Sequence, residues 1–350
     1  MSQDNQLLLP IIDSHIHLYP QDEVDNLAWC TPDHPLYGQR SIEQYKAAAA
    51  SAPSLLGFIF VETDRKNDVA AGEKDGSGWD GPLREVAWMK RLVTGEPKDG
   101  QGHTAADAKL CLGMVPWAPI PSGPEILAKY IDKVKETAGD AWPKIKGFRY
   151  LLQDKPHGTM LEPAFIESLK LLGRRGLTFE VGIDQHRRGK KQLDEALEMI
   201  GRAHDDVPKD EQVTFILNHL CKPDLSLYNT TTDPSFTAWR TALYALGKHD
   251  NVYMKLSGCF SEMPETLVAQ SDNASHVFKS IVEWLGVVLA TFGPDRIMFG
   301  SDWPVCTVGI GEEAWPRWKE IVDKTCWMAS LSDIDRAMVY GGTAKKAYNL

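Results

Sequence analysis

The six cysteines, at positions 30, 111, 221, 259, 306 and 326, are scattered along the chain and form no C-x-x-C pair, which removes the usual signature of a structural zinc site or a dithiol redox centre. Long apolar runs are missing as well. No stretch approaches the ~20 apolar residues that cross a bilayer, and the nearest, Ile281 to Phe292, is interrupted by Glu283 and Gly286 and reads as a buried helix. Near the N-terminus only the short run Leu7–Leu9 is apolar, with Asp4 ahead of it and no basic segment, so no secretory leader is expected. Positive charge is in deficit, with 38 Lys and Arg against 48 Asp and Glu for a net charge of −10. That balance argues against an electrostatic grip on nucleic acid or an anionic membrane and leaves any anionic ligand to local cations. No G-x-G-x-x-G follows an early strand, no repeat recurs, and no linker divides the chain. Scattered, reduced thiols fit a cytoplasmic protein.

What the 350 residues do contain is a sizeable apolar fraction, 43%, enough for a large core in one domain spanning residues 1–350. Eight short apolar runs bounded by turn residues predict strands: Ile11–Leu18, Leu55–Glu62, Leu110–Trp117, Ile145–Leu151, Leu177–Ile183, Val213–His219, Val252–Ser257 and Ile297–Ser301. Between and after them, mixed three and four spacing predicts helices at Ile42–Ala50, Pro82–Leu92, Pro124–Thr137, Pro163–Leu172, Gln192–His204, Ser235–Gly247, His276–Phe292 and Ala314–Met328. Several open with Pro in the first turn or Ser or Asp just before it. Strands that alternate with helices demand parallel pairing, and eight such units predict an α/β fold of the (β/α)8 TIM barrel kind, a single domain with loop insertions. Gly72–Lys109, with Gly-Glu-Lys-Asp-Gly-Ser-Gly and Gly-Glu-Pro-Lys-Asp-Gly-Gln-Gly, reads as long surface loops around the second helix.

Chemistry concentrates at predicted strand ends. In Ile11-Ile12-Asp13-Ser14-His15-Ile16-His17, strand alternation puts Asp13, His15 and His17 on one face, where two imidazoles converge on one ion or one substrate atom. Ile297-Met298-Phe299-Gly300-Ser301-Asp302-Trp303-Pro304 ends the eighth strand at Asp302. Barrel closure makes strands one and eight neighbours, so Asp302 meets the histidines at the C-terminal rim. Phe215-Ile216-Leu217 runs into Asn218-His219, of which a regular strand delivers only one to the lumen unless a bulge intervenes; His219 is the better chemical candidate.

Taken together, Asp13-x-His15-x-His17, Asn218-His219-Leu220-x-Lys222-Pro223, Lys255-Leu256-Ser257-Gly258 and Gly300-Ser301-Asp302-Trp303-Pro304-Val305 resemble the motifs of amidohydrolase-related, metal-dependent hydrolases, more narrowly their sugar-lactonase branch. The resemblance runs from the first strand to the Ala344–Leu350 tail. It implies ring-opening of an aldonolactone by water, with Asp302 as general base and His15, His17 and His219 positioning a cation or donating to the carbonyl oxygen. Lys255 and Arg149, near the ends of strands seven and four, are candidates for the local cations such a site needs. Among the aromatics near strand ends, Trp29, Trp117, Trp303, Trp315, Tyr19 and Tyr150, the sugar platform expected is Trp303, with Tyr150, Arg149 and Asn218 also in the substrate-binding set.

Binuclear members of this superfamily use a carboxylated lysine on strand four, where this chain has Lys146 too early and Arg149 in the later place. The implied cofactor is therefore one divalent ion, zinc or manganese, held by His15, His17 and Asp302 with Glu180 as a further oxygen ligand; some members of the branch act without metal. A small-molecule lactone is the expected partner, with no nucleic acid or membrane and no indication of oligomeric state. Two other readings stay open: non-oxidative decarboxylation of an aromatic or unsaturated acid, and a catalytically silent binding barrel.

Overall fold

In the computed structural model, which describes residues 8–227 and 230–350, all eight apolar runs form strands, each trimmed at one or both ends. They are β1 (Ile11–Ile16), β2 (Leu55–Val61), β3 (Cys111–Val115), β4 (Gly147–Arg149), β5 (Thr178–Val181), β6 (Phe215–Leu217), β7 (Val252–Leu256) and β8 (Ile297–Phe299). The stretch from Asp4 to Leu7 lies outside the described residues. Every pairing is parallel, in the orders β1-β2-β3 and β4-β5-β6-β7-β8. Single parallel bridges join these two arcs: Met114 to Ile145 and Trp117 to Arg149 on one side, Ile16 to Trp303 on the other. The sheet therefore closes on itself, and strands one and eight are adjacent.

Alternation sorts the strand side chains into two cores. Ile12, Ile59, Val115, Ile216, Tyr253 and Met298 fill the base of the barrel, plugged from below by Ala344, Ala347 and Tyr348. Phe58, Phe60, Phe148, Phe179, Phe215, Leu217, Met254 and Phe299 face outward into the helix layer. Proline opens the helices Pro124–Ala138, Pro163–Arg174 and Pro234–Leu246, and Asp233 and Asn273 accept from first-turn amides of Pro234–Leu246 and Ala274–Phe292. The last of these helices does have the length and apolarity of a membrane span, contrary to the expectation from its interruptions. Its face of Val277, Ile281, Trp284, Leu285, Val288 and Phe292 is buried against the barrel and its neighbours.

Two local expectations need correction. The segment 72–109 is not mainly loop: it takes part in the helices Val69–Asp75, Ser77–Trp79, Asp80–Thr94 and Ala105–Leu110. Gly72 and Gly78 serve packing, since a Cβ on Gly72 would sit 2.1 Å from the indole nitrogen of buried Trp79 and one on Gly78 1.8 Å from the Asp68 carbonyl oxygen. The second correction concerns β1, which does not alternate regularly. Asp13 pairs with Phe58 and Ile16 with Phe60, so β1 carries one extra residue between them, and this bulge turns Asp13 to the face opposite His15 and His17.

Candidate active site

The bulge separates two jobs within one short strand. Asp13, facing the helices and wholly buried, accepts from the Ser301 amide at 2.8 Å, the Tyr45 hydroxyl at 3.0 Å and the Trp315 indole at 2.9 Å. Burial pushes its carboxyl up, against the downward pull of these donors. Further backbone bonds zip the 301–303 turn to β1: the Asp302 amide to the His15 carbonyl at 2.9 Å and the His17 amide to the Trp303 carbonyl at 2.7 Å. Gly300 allows this approach, because a Cβ there would lie 3.1 Å from that of His15.

On the lumen side, His15 Nε2 and His17 Nε2 are 3.2 Å apart and lie 3.7 Å and 3.6 Å from Asp302 Oδ1. Four ligands at about 2.1 Å in a tetrahedron stand about 3.4 Å from one another, so three donors at these separations suit one ion. The tautomer agrees for His17, whose Nδ1 faces the Val61 and Glu62 carbonyls at 2.9 Å and 3.0 Å. Carbonyls only accept, so Nδ1 carries the proton and Nε2 offers its lone pair. Burial, reinforced by Lys255 and His219, pushes the His15 pKa far down.

His219 joins the group through an unusual turn. β6 stops at Leu217, and the next residues after Asn218, from His219 to Lys222, all adopt positive φ, 52°, 54°, 62° and 46°. This left-handed turn delivers both Asn218 and His219 to the cavity, an outcome a regular strand does not allow. His219 Nε2 lies 3.7 Å from Asp302 Oδ1 and its Nδ1 is 2.8 Å from the Ser257 hydroxyl. Burial lowers its pKa to about 3, against the opposing pull of Asp302. Burial would raise the Asp302 carboxyl, but His219, His17 and Lys222 outweigh it and hold it below the ordinary range.

Above these groups opens a cavity of 680 Å³ whose wall includes His17, Asp64, Arg149, Asn218, His219, Lys222 and Asp302. A larger groove at the opposite end of the strands, between Leu9, Pro53, Trp327 and Tyr340, contains none of them. Arg149 stands in the wall with its Nε 2.6 Å from Glu62 Oε1, and that carboxylate keeps its pKa raised despite burial.

Several candidates fall elsewhere. Glu180 is not grouped with the His15, His17 and Asp302 donors. Its Oε1 accepts from Lys255 Nζ at 2.8 Å and from the Tyr348 hydroxyl, and its Oε2 from Asn218 Nδ2, so both oxygens are occupied. Lys255 is fully buried behind His15, 3.0 Å from its Nδ1, and does not reach the cavity wall; burial brings its pKa down to about 8. Trp303 packs edge-on against Tyr45 in the outer core, and Tyr150 packs against Phe165; neither lines the cavity. The aromatics that do line it are Phe260 and Trp29, the latter in edge contact with His34 and donating to the Thr63 carbonyl. Glu62 and Asp64 join the site beyond the sequence expectations; their signal is Val61-Glu62-Thr63-Asp64, which places acids at the end of β2 just as Asp302 follows β8.

The amidohydrolase family profile matches residues 12–350. The chain belongs to the amidohydrolase family. Among relatives within this group, an L-rhamnono-gamma-lactonase of Scheffersomyces stipitis is 32% identical over 97% of this chain and 98% of its own length. An L-fucono-1,5-lactonase of Burkholderia multivorans is 26% identical over 77% of this chain and 84% of its own. A crystal structure of a Burkholderia multivorans amidohydrolase with bound zinc superposes with a TM-score of 0.68 at 23% identity, covering 97% of this chain and 99% of that one. This amidohydrolase chain thus shares the barrel of its relatives over essentially its full length.

Proposed function

We propose that the chain hydrolyses a sugar-acid lactone, an aldonolactone, by attack of water on the ring carbonyl. The observation that carries this reading is the convergence of His15, His17 and His219 within 3.7 Å of one Asp302 oxygen at the floor of a small-molecule cavity. The lactonase relatives, one of them 32% identical over nearly the whole chain, supply the substrate class.

His15, His17 and Asp302 would hold a divalent ion such as zinc or manganese, and the zinc-bound neighbour supports that choice. When bound, such an ion supplies positive charge that polarises a carbonyl and acidifies water. The chain's own residues do the rest. Asp302 Oδ2 has no hydrogen-bond partner among the described residues and takes the proton of the attacking water, while Oδ1 stays with the histidines. Its lowered pKa keeps it ionised for that task. With the Ser257 hydroxyl donating to Nδ1, neutral His219 presents Nε2–H to the oxygen on which charge develops. Asn218 and Arg149 orient the ring from the wall. Lys255 and Glu180 act from behind His15, as a positioning pair.

We place the protein in the cytoplasm, a reading supported by six cysteines that are all free and buried. The deciding experiment is acid release from a panel of aldonolactones by the zinc-loaded protein, with spontaneous hydrolysis subtracted. Asp302→Asn is expected to lose at least about 100-fold in turnover while still binding lactone. Absence of acid release from every member of the panel would overturn the proposal, and carbon dioxide release from aromatic acids would replace it with decarboxylation.

A further inference from the structure

The cavity wall carries two strong cations, and both are already neutralised. Arg149 Nε pairs with Glu62 at 2.6 Å, and Lys222 Nζ pairs with Glu262 at 3.0 Å. Of the wall acids, Asp154 is compensated by Arg187 at 3.2 Å. Asp64 is different: among the described residues its carboxylate has neither a hydrogen-bond nor an ion-pair partner, although it is largely withdrawn from solvent in the cavity wall. Its backbone is pinned on both sides, the amide by the Glu62 carboxylate and the carbonyl by the Ala28 amide at 2.8 Å, with φ at 53°. A non-glycine residue held in left-handed backbone, with its charge facing an empty volume, is a feature the fold does not need for packing.

We propose that Asp64 selects the ligand by charge: it accepts hydrogen bonds from the hydroxyls of an uncharged, polyhydroxylated lactone and repels carboxylates, both acidic substrates and the ring-opened product. The inference rests on the lactonase reading of the site. Hydrolysis converts a neutral ligand into a hydroxy acid that releases its proton, so substrate and product differ by one negative charge at the cavity. An anion entering here meets Asp64 and exposed Glu265, with Arg149 and Lys222 already committed. A neutral polyol meets acceptors for its hydroxyls instead. The groups that act on Asp64 are Glu62, Arg149, Lys155 and Asp154; burial and Glu62 together raise its pKa to about 6 against the pull of Arg149 and Lys155. It therefore carries its charge at neutral pH and above.

The test compares wild type with Asp64→Asn, a change that keeps the volume and tolerates the left-handed backbone. With the zinc-loaded enzyme, KM for a neutral aldonolactone is expected to rise about tenfold, while the inhibition constant of the matching aldonate falls by a similar factor. A turnover-independent arm uses calorimetry on Asp302→Asn and on Asp302→Asn with Asp64→Asn, titrating a neutral alditol and then the aldonate. Preference for the alditol that disappears with Asp64→Asn supports the proposal even if wild type hydrolyses no lactone, which would sink only the lactonase reading. Unchanged KM and unchanged aldonate affinity, in a variant whose melting temperature matches wild type, would overturn the role of Asp64.

Discussion

Removing the Asp13 carboxylate tests whether one outward-facing acid holds the first and last strands in register. Four donors converge on it in a fully buried site: the Ser301 amide, the Tyr45 hydroxyl, the Trp315 indole and, at 3.5 Å, the His15 amide. In Asp13→Asn, one carboxylate oxygen becomes an NH2 group. If the remaining oxygen stays with Ser301, Tyr45 rotates to accept, but the Trp315 N–H cannot, and one stranded buried donor costs about 1–3 kcal/mol. Asp13→Ala strands all of these donors and opens a cavity as well. With less than full additivity the loss is expected to be roughly 4–6 kcal/mol. Urea unfolding of wild type, Asp13→Asn, Asp13→Ala, Trp315→Phe and the double variant Asp13→Ala with Trp315→Phe measures these terms. The double-mutant cycle should show about 1–2 kcal/mol of coupling between Asp13 and Trp315. Turnover should fall with stability, because Ser301 and Asp302 are consecutive and the Ser301 amide hangs on Asp13. An Asp13→Ala protein within 1 kcal/mol of wild type, or a strictly additive cycle, would refute the reasoning.

Other expectations follow from the same geometry. Trp303→Phe should lower stability by about 1–3 kcal/mol yet leave KM within about twofold, because Trp303 packs against Tyr45 outside the cavity; a KM effect without a stability effect would restore it as a platform. Gly258→Ala should displace His219, since a Cβ there lies 2.4 Å from its Nδ1 and the backbone φ is 65°; turnover should drop more than about tenfold, and a fully active variant would count against the placement of His219. Metal-stripped protein should weaken on acidification: His219 has its pKa lowered from 6.5 to about 3 and His15 is lowered too, so the unfolded chain binds more protons once the pH falls below 6.5. Melting temperature followed from pH 7.5 to 4 should fall most steeply below about 6.5, with only the shallow slope of Lys255, whose pKa is about 8, above it; a profile with no steepening below 6.5 would contradict neutral buried histidines.

The barrel was legible because each strand is a short apolar run and each crossover helix has a clear stripe and start signal, features that depend only on neighbours in sequence. The approach of Asp302 to His15 and His17 followed from closure alone. What alternation could not show was the extra residue in β1, which moves Asp13 to the other face without leaving a Gly or Pro as a mark. Nor could it show the run of left-handed residues after Asn218, since His219, Leu220, Cys221 and Lys222 are poor sequence predictors of positive φ. The resemblance implies Glu180 as a ligand, whereas its partners come from the residue after β6, from β7 and from the C-terminal tail, contacts far apart in sequence. Trp303 was favoured for its nearness to Asp302 along the chain, but adjacent residues after a strand end point apart. Glycines at 72 and 78 suggested solvent and instead admit an indole and a backbone crossing.

The seam between Ile16 and Trp303 also sets a schedule for synthesis. The two histidines are made well ahead of their aspartate partner, which follows after the other seven strands have begun, a delay on the order of half a minute at about 5–20 residues per second. Until then the imidazoles have no carboxylate beside them and β1 lacks one of its two neighbours. A nascent chain is therefore poorly equipped to capture an ion early, and loading becomes an event of the finished barrel. Stalled or truncated products that stop short of β8 would carry H-x-H without its counter-charge and would be inert by construction.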